Sequence, residues 1–453
     1  TKLYKRRFFI LGIFCIYSMS SAFQWIEYAI ITDIILKYYK GTSSLAVVWT
    51  SMIYMLSYIP LMFVATWMLD NWGLRKILLV GSSLNAVGSL VKIGSVAPNL
   101  FAVSFLGQTI AACAQSFILE IPPKIASVYF GPSEVSTATA VGVFGNQLGV
   151  ALGFLLPPII VPDGTEEEIA SGLRILFISS AVVCTVVVFL VFLIIKDEPP
   201  ISPSKARAIS IAAESFHHAK HSSLGNYKRS IRVLMKDVPY LLLLITYVTD
   251  LIPSTYWLML FFIISGINTG TYYAISTLLN PIILYFHEDA GKEVGEIGLT
   301  MIVAGLAGSV ICGVFLDKTK LFKTTTVGIY VLSLVFMVVF IFTLPVQMLW
   351  LDYLTIGVLG IVMRLIEFII KPQFSNSFFM TGYLPIGFEF AAEITFPESE
   401  ATSSGLLNVS AQFFGILFTL SAEQILNGHG VQAANIFMCV ALVVGTIMTG
   451  KIC

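Results

Sequence analysis

The chain has 453 residues, of which 57% are hydrophobic and 11% charged, and its 26 basic and 26 acidic side chains leave no net charge. A mean hydropathy of +0.88 over that length excludes a water-soluble globular protein, and the balanced charge offers no basic face to nucleic acid. The expected solvent is therefore a lipid bilayer.

Lys5, Arg6 and Arg7 precede an apolar run that begins at Phe8. The run is too long for a signal peptide and lacks a small-residue cleavage site, so it reads as a retained first helix. Apolar runs then recur along the chain, among them Val47 to Leu69, Ile77 to Val96, Leu173 to Ile195, Val331 to Leu344 and Ile436 to Met448 with their flanks. Barrel strands would be shorter and would alternate, so the fold class is all-α, with twelve transmembrane helices expected. After the sixth span comes a polar stretch, which divides the chain into a six-helix bundle at 1–196, a linker at 197–237 and a second bundle at 238–453. The linker carries Lys205, Arg207, Lys220, Lys228, Arg229 and Arg232, and the other basic segments are the N-terminus, Arg75-Lys76 and Lys318 to Lys323. The opposite loops, Asp163 to Glu168, Glu288-Asp289 and Pro98-Asn99, are acidic or uncharged. Because Lys and Arg mark the cytoplasmic side, both termini and the linker are expected there. The expected setting is a monomeric, multi-pass protein of the plasma membrane.

Two internal repeats point to a duplicated architecture. The turn Asp70-Asn-Trp-Gly73-Leu-Arg75-Lys76 recurs as Gly313-Val-Phe-Leu-Asp317-Lys318-Thr-Lys320, and Ser133-Glu134-Val-Ser136-Thr137 recurs as Ser399-Glu400-Ala-Thr402-Ser403. In the first repeat a carboxylate at a helix end faces cations and the next helix's N-terminus. The turn resembles the cytoplasmic signature of the major facilitator superfamily between helices 2 and 3, and that resemblance implies that Asp70, Gly73, Arg75, Asp317 and Lys318 form an electrostatic latch; for one copy alone, a solvated turn would be an equal reading. The six cysteines lie in or beside apolar runs without paired spacing and are expected to pack rather than to bridge or bind metal. No catalytic constellation and no cofactor are expected. Gly291-Lys292 is followed by Glu293 and lacks the preceding glycine of a phosphate-binding loop, so ATP-driven transport finds no support.

Longer stretches carry a closer likeness. They include Ser21-Ala-Phe-Gln-Trp25-Ile, Ser51 to Pro60, Phe130 to Ala138, Gly145-Asn-Gln-Leu-Gly149, Ser276 to Asn280, Met380 to Pro385 and Ser404-Gly-Leu-Leu-Asn408. In these the chain resembles the feline leukaemia virus subgroup C receptor family of the major facilitator superfamily, and the likeness covers nearly the whole chain. The resemblance implies two pseudo-symmetric six-helix bundles and facilitative, alternating-access transport of choline and ethanolamine. It also implies a substrate site in which Trp25 on helix 1 and Tyr273 on helix 7 form an aromatic cage, Gln115 and Gln412 meet the substrate hydroxyl, and Met55 lines the pocket. The chemistry is coherent. A quaternary ammonium has no N–H to donate and is held by aromatic faces, whereas an amide can both donate to and accept from a hydroxyl. From the residues alone, Trp25 reads first as packing, and Met55 reads equally as packing or as pocket lining.

The family is also credited with haem export, which would call for His, Tyr, Cys or Met ligands. The histidines at 217, 218, 221, 287 and 429 lie in the expected linker or loops. A non-transporting receptor, or an inactive product, is the alternative from another class. The chain departs from the family at Glu27, where the family usually has Gln, and at Glu120, where it has a small residue. Each carboxylate would either serve a cation or proton, or pair with Lys92 or Lys124. The family also lacks counterparts of 248–265 and 361–377, and removing both brings the internal repeats nearly into register. These segments set Asp250, Arg364, Glu367 and Lys371 at membrane depth, and they are expected to be untranslated sequence carried into the chain.

Overall fold

In hydrocarbon every backbone N–H and C=O needs a partner within the protein, and an apolar run meets that demand as a helix. A computed structural model describes residues 3–119, 121–131, 134–197, 199, 201, 252–287, 290–319, 322–346, 348–369 and 400–452. All regular structure among them is helical. In chain order the helices are α1 (Arg6–Ile26), a 3-10 turn (Ala29–Ile31), α2 (Thr32–Tyr38), α3 (Ser44–Trp72), α4 (Leu74–Ile93), α5 (Phe101–Gln115), α6 (Ile121–Tyr129), α7 (Val135–Ile160) and α8 (Glu166–Ile194). After the expected linker come α9 (Ile252–Leu284), α10 (Gly291–Thr319), α11 (Phe322–Thr343), α12 (Leu349–Ile369), α13 (Glu400–His429) and α14 (Val431–Ile452). Among the described residues, six helical stretches are long and apolar enough to cross a membrane, and four shorter apolar helices accompany them.

Turn chemistry sets several boundaries. Ser43 accepts from the Ala46 N–H at 3.2 Å and starts α3. Thr165 and Glu168 form a reciprocal capping box at the start of α8, with three carboxylates in its first turn. Gly73 joins α3 to α4 at φ +86°, a conformation that side chains with a Cβ rarely adopt.

Packing repeats between the halves. In the first, α1 lies against α7 and α8, α4 against α5 and α8, and α3 against α5; in the second, α9 lies against α13 and α14, α11 against α12 and α14, and α10 against α12. The halves meet where α7 contacts α10 and where α3 contacts α13. Small residues permit the closest crossings, since lipid supplies no hydrophobic drive between helices. Gly145, Gly149 and Gly153 form a stripe on α7 whose added Cβ atoms would strike Cys15, Met19 and Ile26 of α1. Gly295 and Gly298 of α10 likewise admit the backbone and ring of Phe154 from α7.

Residues 252–265 of the first extra segment form the start of α9. That helix, at 33 residues, is about 50 Å long against a hydrocarbon core of about 30 Å. Residues 361–369 of the second form the end of α12, while 248–251 and 370–377 lie outside the described residues. So does most of the expected linker.

Candidate functional site

Helix 1 does not run straight through the bundle. α1 stops at Ile26, and the chain passes through Glu27 and Tyr28 before the 3-10 turn and α2 resume the crossing. Trp25 therefore sits in the last turn of α1, at the break, and is 6% exposed. Its indole meets the ring of Tyr273 from α9 edge to face, with centroids 5.5 Å apart and planes at 73°. The two rings come from opposite halves of the molecule.

Gly415 of α13 forms one wall. A Cβ there would lie 2.8 Å from Met55 Sδ and 2.9 Å from Tyr273 Cδ2, so Met55, from α3, and Tyr273 converge on this glycine. Gly270 allows the approach from the other side, its added Cβ falling 2.9 Å from the Gly415 nitrogen. Gln412 is buried one turn before Gly415 on α13. Gln115 is the last residue of α5, half-buried, and its Oε1 is buried without a hydrogen-bond partner. The structure thus brings Trp25, Tyr273 and Met55 together, sets Gln412 on the adjoining helix, and leaves an unsatisfied amide acceptor on Gln115. The spacing of residues gave no sign of Gly415 as the common contact.

Behind Trp25 lies a polar network in the first half. Lys92 Nζ is 2.5 Å from Glu27 Oε1, and both side chains are essentially inaccessible. Lys92 also donates to Gln108 Oε1 at 3.1 Å and stands 5.9 Å from the ring centroids of both Tyr28 and Phe177. Gln24 Nε2 donates to Asn85 at 3.0 Å, and Asn85 in turn donates to Ser20 at 3.0 Å. Of the two partners open to Glu27 in the sequence, the structure selects Lys92; Glu120 lies outside the described residues. Gly107 makes room for the lysine, since a Cβ there would lie 2.7 Å from Lys92 Cγ.

Residues 10–370 match the Major Facilitator Superfamily. The chain is 47% identical over 453 residues to the choline/ethanolamine transporter flvcr2a of Danio rerio, an alignment covering 100% of this chain and 87% of that one. It is 44% identical over 452 residues to the choline/ethanolamine transporter FLVCR2 of Homo sapiens, covering 100% and 78% respectively. The chain belongs to the feline leukaemia virus subgroup C receptor family of the major facilitator superfamily. Its fold also matches the crystal structure of a bacterial homologue of the human lysosomal transporter Spinster, with a TM-score of 0.69, 12% identity, and coverage of 100% of this chain and 98% of that one.

This major facilitator is accordingly an integral, multi-pass membrane protein, and not an enzyme. At the end of its bundle beyond the helix 1 break, the halves are tied by polar side chains. Asn280 of α9 donates to the Ile30 carbonyl at 2.8 Å and to Asp33 at 2.9 Å, and Ser44 of α3 donates to Glu423 of α13 at 2.5 Å. At the opposite end, Arg75 turns toward α8. Its N–H donates to Asp197 at 2.9 Å, and its guanidinium donates to the Phe192 carbonyl at 3.0 Å. Asp197, the first residue of the expected linker, so caps the N-terminus of α4 and abuts Gly73. The side chains of Asp70, Asp317 and Lys318 lie outside the described residues, although the backbone at all three is helical. Glu134, from the second repeat, pairs with Arg7 at 2.9 Å. Cys15, Cys113, Cys184 and Cys439 are free thiols.

Proposed function

We propose that this protein carries choline and ethanolamine across the plasma membrane by facilitative alternating access, as a monomer with its termini and linker in the cytoplasm. The observation that carries the reading is the pairing of Trp25 and Tyr273, one ring from each half, at a point also reached by Met55 and Gly415. Two π faces at a large angle suit the quaternary ammonium of choline, which offers no N–H, and closing the halves completes the cage around it. Gln115 and Gln412 then serve the substrate hydroxyl, Gln115 with a free acceptor. The two curated relatives are named for the same substrates. The membrane potential draws a cation inward at about 2.3 kcal/mol per charge per 100 mV, so no further energy source is required. The Asp70, Gly73, Arg75 turn and its Asp317, Lys318 counterpart act as the cytoplasmic latch, and bundles at 1–196 and 238–453 move against each other about the 197–237 linker. Segments 248–265 and 361–377 are untranslated sequence carried into the chain and no part of the transporting helices.

The test is uptake of labelled choline by cells expressing the full chain and a version lacking both segments, with surface levels measured in parallel. Saturable uptake that unlabelled ethanolamine inhibits is expected. Background uptake by both forms at normal surface levels would overturn the reading.

A further inference from the structure

The break in helix 1 poses a backbone problem that the substrate cage itself does not solve. The last carbonyls of a helix have no partner in the following turn, and the protein interior supplies no bulk water to satisfy them. Two side chains meet this need at the residues that carry the cage. Gln108 of α5 donates its Nε2–H to the Gln24 carbonyl at 2.6 Å, and Ser51 of α3 donates its hydroxyl to the Trp25 carbonyl at 3.1 Å. Both side chains are fully buried. Gln108 is held in turn, since its Oε1 accepts from Lys92, whose ammonium is fixed by Glu27 at the break itself. The last turn of α1 is therefore clamped from two neighbouring helices, and its rotation sets the direction of the Trp25 indole.

We propose that Ser51 and Gln108 are positioning residues for substrate: they hold the terminal turn of α1 so that the Trp25 ring faces the ammonium, and the Glu27–Lys92 pair keeps Gln108 aimed at its carbonyl. The inference rests on the aromatic-cage reading and deepens it. Neither residue touches substrate. Met55 lies one turn beyond Ser51 on the same helix, so α3 both orients one ring and lines the site.

A buried hydrogen bond is worth about 1 kcal/mol, so each truncation should raise the KM for choline by about fivefold. The experiment measures concentration-dependent choline uptake, at matched surface levels, for Ser51→Ala, Ser51→Thr and Gln108→Met, each with Trp25 present and with Trp25→Ala. Ser51→Ala is small enough to fold if Gln108→Met does not. With Trp25 present, Ser51→Ala and Gln108→Met raise KM while Ser51→Thr, which keeps the hydroxyl, stays near the parent. In the Trp25→Ala background the same changes add less than about twofold, because the ring through which they act is gone. An equal fold-change in both backgrounds, or an effect confined to surface level and maximal rate, would overturn the inference while leaving the cage intact. Parent-like KM for Trp25→Ala alone would instead sink the cage reading, and this inference with it.

Discussion

Replacing Trp25 offers the most direct probe of the site. A desolvated cation over an aromatic face gains about 2 kcal/mol, and each 1.4 kcal/mol is a factor of ten, so Trp25→Ala is expected to weaken choline transport by roughly thirtyfold in KM. The structure narrows the interpretation. Trp25 is nearly inaccessible and its ring packs edge to face on Tyr273 at 5.5 Å, so truncation also removes a stabilising contact of about 0.5–1.5 kcal/mol and leaves a cavity. Uptake must therefore be read per molecule at the surface, with KM separated from maximal rate. Trp25→Phe retains a weaker π face and should lose less. Tyr273→Phe should be mild and Tyr273→Ala severe, because the ring is proposed to bind. Gln115→Ala should impair choline more than a tetraalkylammonium competitor, which has no hydroxyl to satisfy. If Trp25→Ala and Tyr273→Ala both transport choline with parent-like KM, the two rings do not form the site and the cage mechanism is refuted.

Three further outcomes follow from other contacts. Gly415→Leu should abolish choline uptake with little change in surface level and Gly415→Ala should reduce it modestly, since even a Cβ there lies under 3.0 Å from Met55 and Tyr273; parent-like uptake by Gly415→Leu would move the site elsewhere. Glu27→Gln and Lys92→Met singly should each destabilise the protein by about 3–5 kcal/mol, with the double variant losing clearly less because no uncompensated charge stays buried; thermal unfolding of the purified protein in detergent measures this, and additive losses would refute the pairing. Asn280→Ala removes both ties to the segment after the helix 1 break and should increase alkylation of a cysteine introduced near Asp33, whereas unchanged labelling would show that these bonds do not hold that end closed.

Composition, the length of the apolar runs and two recurring motifs pointed to a membrane protein, to helices and to a duplicated plan, because each is a local or additive property of the chain. The pairing of α1 with α7 and of α9 with α13 gives the duplicated plan its packing counterpart. Trp25 and Tyr273 were legible as a pair only through resemblance, since 248 positions separate them and no spacing rule joins residues so far apart; their ring contact is a tertiary fact. Gly415 closes the second copy of an internal repeat, but its contacts were not legible, because a glycine in an apolar helix reads as packing until the neighbouring side chains are in place. Glu27 was visible as a misplaced carboxylate, yet its sequence left Lys92 and Lys124 equally open, and the choice came from which lysine the α4 and α5 crossing delivers at 2.5 Å. Asp197, which reads as the first residue of a polar linker, caps α4 because the end of α8 happens to lie beside the Gly73 turn. The break after Trp25 is the clearest division between the two levels. Nothing in Gln-Trp-Ile-Glu-Tyr forbids a continuous helix, and it is the donors arriving from α3 and α5, Ser51 and Gln108, that satisfy the freed carbonyls and let helix 1 stop where the substrate is proposed to bind.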